Sequence, residues 1–130
     1  MKRCLDSWAV LAWLDGEGPA AEVVERTIKR ERPAMSWVNL IEVHYRTIRD
    51  HGRQEADQVL AELRPQISER LPGIATMRFV SSLKAEHPIA LADCFVIALA
   101  AEEEAELLTG DPEIIDRADL LPCKVVDLRS

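Results

Sequence analysis

The chain has 130 residues, is 48% apolar and 30% charged, and carries a net charge of −7, the make-up of one ordinary globular domain over residues 1–130 rather than of a disordered chain. The charge is −1 over residues 1–65 and −6 over residues 66–130, and aromatics are only 5%, which argues against non-specific phosphate binding by surface cations and against an extended aromatic platform for single strands. No apolar run reaches the ~18–20 residues of a membrane helix, and Asp6 and Asp15 interrupt the only stretch resembling a signal core, so the chain reads as cytoplasmic with no membrane anchor.

Lys2–Leu5 is a short strand ending at Asp6. Ser7–Leu14 is an apolar helix punctuated by Gly16 and Gly18, and Pro19 opens a second helix to Arg30 with Ala20, Val23, Val24, Thr27 and Ile28 as its inward stripe. Pro33–Met35 is a second strand, after which Ser36 caps a helix from Trp37 to His51, stopped by Gly52. A fourth helix runs from Arg53 to Leu63 with Val59, Leu60 and Leu63 inward, up to a break at Pro65. Ile74–Thr76 reads as a weak third strand and Arg78–Glu86 as a short helix. Pro88 opens a long helix over 89–104; Glu106–Thr109 is a strand, Glu113–Arg117 a short helix, and Lys124–Leu128 the closing strand. Strands alternating with helices predict an α/β fold, a three-layer sandwich whose parallel sheet gathers its site at the carboxyl ends of the strands.

Four acids stand out against that frame. Asp6 directly follows the first strand and Asp111 lies two residues beyond the fourth; either position also suits a cap or turn residue. Glu42 falls on the stripe formed by Val38, Ile41, Tyr45 and Ile48, where an unpaired carboxylate is costly. Asp93 is the one polar residue among thirteen from Ile89 to Ala101, in a helix whose apolar character on all sides predicts burial. Like charges brought together raise one another's pKa. A divalent cation relieves this, and a carboxylate set without Cys or His suits Mg²⁺ or Mn²⁺ rather than zinc. Such an ion activates water and clamps a phosphate, which also removes the charge objection to nucleic acid.

Cys4, Cys94 and Cys123 are odd in number and have no metal-ligand spacing, so they read as buried thiols in a reducing compartment. His44, His51 and His87 have no nucleophile to serve and read as structural or surface residues. Glu113 and Asp116 lie near Asp111 and read as surface acids. The arginines available to RNA are Arg46, Arg49 and Arg53, with Arg26, Lys29, Arg30 and Arg32 as a second group, all interleaved with acids. Phosphotransfer folds that place acids at strand ends want a second acid beside Asp6, and position 8 is Trp.

Leu5-Asp6-Ser7 before an Ala/Leu-rich helix, Ser36 with Ile41-Glu42-Val43, Leu91-Ala92-Asp93-Cys94 with Ile97-Ala98-Leu99-Ala100, and Leu107-Leu108-Thr109-Gly110-Asp111 together resemble the PIN domain. More narrowly, they resemble the VapC-type toxin ribonucleases of toxin–antitoxin pairs. The resemblance covers essentially the whole chain. It implies an α/β/α sandwich with a five-stranded, mainly parallel sheet, and Mg²⁺- or Mn²⁺-dependent endoribonuclease activity leaving a 5′-phosphate and a 3′-hydroxyl. It further implies homodimerisation and a cognate antitoxin whose tail occupies the active-site groove. It assigns Asp6, Glu42, Asp93 and Asp111 to the acidic site and Ser7 and Thr109 to supporting hydroxyls. Ser7-Trp8 replaces the family's Thr-Ser, and Gly110 replaces a basic residue before Asp111; Trp8 reads as a packing residue. A PIN-fold module without catalysis, binding RNA or a protein partner, is the alternative, which metal titration separates from the enzyme.

Overall fold

The computed structural model describes residues 2–16 and 18–129; Met1, Glu17 and Ser130 lie outside the described residues. In chain order the elements are β1 (Arg3–Leu5), α1 (Ser7–Leu14), α2 (Gly18–Arg30), β2 (Ala34–Ser36), α3 (Trp37–His51) and α4 (Arg53–Leu63). They continue with β3 (Ser68–Arg70), α5 (Ile74–Glu86), α6 (Leu91–Glu102), β4 (Glu106–Thr109), α7 (Pro112–Ile115) and β5 (Lys124–Asp127). The five strands form one sheet in the order β3-β2-β1-β4-β5. Every pairing is parallel, so the mainly parallel sheet expected from sequence is parallel throughout.

Alternation along the strands builds two cores. Cys4, Ala34 and Leu107 face one layer, where they pack on Val80 and Leu83 of α5 and on Cys94, Ile97 and Ala98 of α6. Leu5, Met35 and Leu108 face the other, against Ala9 and Val10 of α1, Val24 of α2, Leu40 and Val43 of α3 and Leu63 of α4. β4 lies inside the sheet with all four residues buried, as a central parallel strand covered on both faces is. α6 is buried over most of its length, as its composition predicts. Gly52, at φ 91°, ends α3 with its N–H on the Ile48 carbonyl and lets the chain reverse into α4.

Several sequence expectations fail here. Ile74–Thr76 is not a strand but the first turn of α5. The third strand is Ser68-Glu69-Arg70, an edge strand paired only with β2, and its side chains are all polar. The inward face of α3 is Asn39, Leu40, Val43 and Thr47; of the stripe read from sequence, Val38 and Ile48 are half-buried while Ile41 and Tyr45 are 56% and 50% exposed and point away from the core. α6 begins at Leu91 rather than Ile89 and ends at Glu102 rather than Glu104. Val59 and Leu60 of α4 are half-buried, while Ala56 takes a buried place beside Leu63.

Candidate active site

The strand order runs outward from β1 to β2 and β3 on one side and, later in the chain, to β4 and β5 on the other. The switch between the two directions falls between β1 and β4, the place at the carboxyl ends of the strands where sheets of this kind bind ligands. Asp6 leaves β1 and Asp111 follows β4, so these two acids flank the switch.

Asp6 is 1% exposed and caps α1: its Oδ1 accepts from the Ala9 N–H at 2.8 Å. Its Oδ2 accepts from the Thr109 hydroxyl of β4, which ties the two central strand ends together. The same Thr109 Oγ1 accepts the Asp111 N–H at 3.0 Å. Asp111 in turn caps α7, its Oδ1 accepting from the Glu113 N–H at 2.9 Å. The cap and turn roles open to these acids in the sequence are therefore real, and each acid still belongs to the acidic group.

Glu42 reaches the site from α3. It is half-buried beside the inward face, and its Oε1 accepts from the Ser7 hydroxyl in the first turn of α1. Asp93 reaches it from the opposite layer, in the first turn of α6, where Ala90 offers no side-chain cap and the helix dipole favours an acid. Asp93 is 6% exposed.

The electrostatics reflect this convergence. Burial pushes the Asp6 carboxyl up from 3.8 to about 7, and the charges of Asp111 and Glu42 push the same way; the bonds from Thr109 and Ala9 pull against them. Asp93 is raised above the ordinary carboxylate range, first by burial, then by the charges of Asp111 and Asp6, a hydrogen bond to Asp111, and the charge of Glu42. Among the described residues, none of these acids is paired with an arginine, lysine or histidine; the ion pairs lie elsewhere, as in Arg3–Glu31, Arg64–Glu69, Arg70–Glu103 and Arg129–Asp127.

Asp93, Asp111 and Glu113 each offer a carboxylate oxygen within 4.8 Å of the others. Ligands of one octahedral Mg²⁺ stand ~2.1 Å from the ion and so at most ~4.2 Å apart, and the three carboxylates would draw in slightly to share it. Glu113 is exposed and follows the capping Asp111 by two residues; the sequence placed it near Asp111 but read it as a surface acid. Asp6 and Glu42 adjoin this trio through charge rather than belonging to it.

The sequence also gave no weight to Asn39. It is fully buried on the inward face of α3, and its Nδ2 donates to the Ala92 carbonyl of α6 at 3.3 Å, next to Asp93. One side chain therefore joins the helix bearing Glu42 to the helix bearing Asp93. The only available signal was an amide three residues before Glu42.

The three arginines expected near RNA separate. Arg46, one turn beyond Glu42, lines a groove of about 500 Å³ between α1, α3 and α4, with Leu11, Thr47 and His51. Arg49 is paired with Asp50, and Arg53 is exposed in the first turn of α4. His44 and His51 are engaged with Asp57 and Glu55. Cys4 and Cys94 are buried free thiols and Cys123 is half-buried. No helix among the described residues is long and apolar enough to cross a membrane.

Comparison with solved structures finds the same fold. Over 98% of both chains, the protein matches a chain from VapBC2 of Rickettsia felis bound to a promoter DNA fragment, with a TM-score of 0.77 and 17% identity. DNA-bound VapBC from Salmonella typhimurium gives 0.78 and 14% over 98% of both chains. VapBC-1 from nontypeable Haemophilus influenzae gives 0.76 and 18% over the whole of both. No curated protein sequence matches the chain. The family model for the PIN domain matches residues 3–120. With that match laid over the β1/β4 switch and its acids, the chain belongs to the PIN domain family.

Proposed function

We propose that this protein is the toxin subunit of a VapBC-type pair, an endoribonuclease dependent on Mg²⁺ or Mn²⁺ that a cognate antitoxin neutralises. The observation that carries the reading is the gathering of Asp6, Glu42, Asp93 and Asp111 at the β1/β4 switch with no cationic side chain among the described residues to balance them. Buried carboxylates in that state are costly, and a divalent cation is the partner their chemistry calls for.

Asp93 and Asp111 would hold the ion, with Asp6 and Glu42 completing its surroundings and Glu113 within reach. When bound, the cation supplies Lewis acidity to the phosphodiester and lowers the pKa of a water. The chain's own residues fix the geometry. Thr109 and the Ala9 amide hold both oxygens of Asp6, and Ser7 holds one oxygen of Glu42, so the carboxylates are oriented before substrate arrives. Of the arginines that the sequence offers to RNA phosphate, Arg46 follows Glu42 most closely, about 6 Å further along α3 by helix rise.

The partner reading rests on surface chemistry and on the relatives being VapBC complexes. Ile41 and Tyr45 are about half exposed on α3, and Trp37 is 38% exposed; the groove beside them is lined by Leu40, His44 and Leu60. Such a face suits an antitoxin's apolar side chains. Leu71, Ile74 and Met77 are also exposed and supply apolar surface for a second copy of this chain.

The test is cleavage of cellular RNA by purified protein with Mg²⁺, with EDTA, and with Asp93→Asn. The expected result is cleavage that needs the cation and falls at least ~100-fold in the variant. A folded Asp93→Asn protein that cleaves as well as the wild type overturns the assignment, and wild-type protein that binds RNA without cleaving it is a binding module.

A further inference from the structure

Successive residues in the first turn of α1 each meet a different part of the acidic group. The Ser7 hydroxyl donates to Glu42, and the Ala9 N–H donates to Asp6. Between them, Trp8 reaches across to the chain beyond β4. A Cβ on Gly110 would run into Cη2, Cζ2 and Cζ3 of the indole at nearly equal distances. Adjacent ring carbons are met equally only from above the ring plane, so Gly110 lies flat on the outer face of the indole.

That contact sets the place of Gly110. The residue is buried, and its φ is not in the left-handed region, so it is the ring and not the backbone conformation that calls for glycine. Neither its N–H nor its carbonyl has a hydrogen-bond partner among the described residues, which leaves packing on the indole to hold it. The ring is half-buried and also packs on the core of the α1–α4 layer, so it cannot sink away from Gly110 without opening a void there.

Gly110 joins two residues of the site. The Thr109 hydroxyl donates to Asp6, and its oxygen accepts the Asp111 N–H. Asp111 in turn offers its carboxylate beside those of Asp93 and Glu113. Glycine is the most flexible joint the chain can place before Asp111. The Thr109 bonds fix one end of the segment, and a flat ring under the joint removes the freedom that they leave.

We infer that Trp8 is a positioning residue: its indole is the floor under Gly110, and it holds Asp111 at the height from which the carboxylate meets Asp93. The inference rests on the cation-dependent reading above and names the side chain that sets the spacing of those acids.

The experiment uses the full chain as wild type, Trp8→Phe, Trp8→Ala, Gly110→Ala and the double variant Trp8→Ala/Gly110→Ala. Leu63→Ala, in the buried part of α4, is the control for lost stability. Folding is checked by circular dichroism. Two quantities are read: Mn²⁺ affinity by electron paramagnetic resonance and, on the metal-free protein, hydrogen exchange of the Asp111 amide by NMR. Phenylalanine keeps a ring on the core but does not reach the outer indole carbons. Trp8→Phe and Trp8→Ala should therefore both weaken Mn²⁺ binding, by roughly 10- to 100-fold, and both speed Asp111 exchange. Gly110→Ala should do the same beside Trp8 and add nothing in the Trp8→Ala background, where the Cβ has room. Leu63→Ala should leave both quantities as in wild type.

If wild type binds Mn²⁺ and Trp8→Phe matches it in affinity or in Asp111 exchange, the positioning role is overturned and the nuclease reading stands. If Leu63→Ala weakens Mn²⁺ binding as much as Trp8→Phe does, the effect is lost stability and the positioning role is again overturned. If wild type binds no Mn²⁺ but Trp8→Phe still speeds Asp111 exchange, the cation reading fails and the floor under Gly110 stands. If wild type binds no Mn²⁺ and the exchange is unchanged, both are overturned.

Discussion

Asp6→Asn should abolish the proposed RNA cleavage and stabilise the fold at the same time. The Asp6 carboxyl is 1% exposed, and its pKa is raised from 3.8 to about 7. The folded chain therefore holds a proton there that the unfolded chain releases. The contribution of this group to stability is greatest below about pH 4, falls as pH rises from about 4 to about 7, and is flat above. A shift of that size costs about 4 kcal/mol once the group is ionised. Asparagine keeps the cap, with its Oδ1 accepting from Ala9, and its amide can donate to Thr109, so the penalty is removed at little cost in hydrogen bonds. Set against this is the lost charge–dipole attraction at the α1 N-terminus, ~0.3–1 kcal/mol. Allowing for that loss and for imperfect amide geometry, metal-free Asp6→Asn at pH 8 should gain about 2–4 kcal/mol. For a chain this long that raises Tm by roughly 7–15 °C.

The assay is thermal unfolding in EDTA from pH 4 to 9, followed by circular dichroism, then repeated with Mn²⁺. Wild type should lose stability with rising pH, with a contribution of the same sign from Asp93, and recover it with Mn²⁺. The variant should show a shallower slope and a smaller response to the ion. A variant with the same pH slope as wild type, or a lower Tm at pH 8, refutes the claim that burial and like charge strain this carboxylate.

Asn39→Ala should cost about 1–3 kcal/mol in urea denaturation, since it removes a buried hydrogen bond and leaves a void between α3 and α6. Its Mn²⁺ affinity should fall as well, because Glu42 and Asp93 lose a shared tether. Leu107→Ala in central β4, where Leu107 is fully buried, should cost about 2–5 kcal/mol by the same measurement. Cys4 and Cys94 are buried, and burial pushes both thiols up. At pH 8 a thiol reagent should therefore modify them only as fast as the protein unfolds. A prompt stoichiometric reaction at either one would contradict their packing.

Much of this arrangement is legible in the sequence because acids and glycines punctuate it. Asp6 ends β1 and caps α1, Ser36 ends β2 and caps α3, and Asp111 follows β4 and caps α7. Asp6 and Asp111 each serve local backbone chemistry and also belong to the acidic group, so a strand end and an acid are legible together. β3 was missed because an edge strand with one neighbour need bury little, and Ser68-Glu69-Arg70 carries no apolar alternation. The apolar Ile74 nearby drew the reading instead, yet it is 65% exposed at the start of α5. In α3 the hydrophobic stripe was misplaced because Ile41 and Tyr45 face outward while Asn39 and Thr47 face the core. Glu42 lies at the site all the same, on the flank of the helix that meets Ser7. The Trp8–Gly110 fit could not be read from sequence, since it joins two segments a hundred residues apart that only the β1/β4 pairing brings together.

The most direct test of the acidic centre is a Mn²⁺ titration followed by electron paramagnetic resonance at pH 8, on wild type, Asp93→Asn and Asp6→Asn. The account predicts saturable binding by the wild type that weakens at least tenfold in both variants. Equal binding by all three proteins, or none by the wild type, would mean that these carboxylates do not form a metal centre.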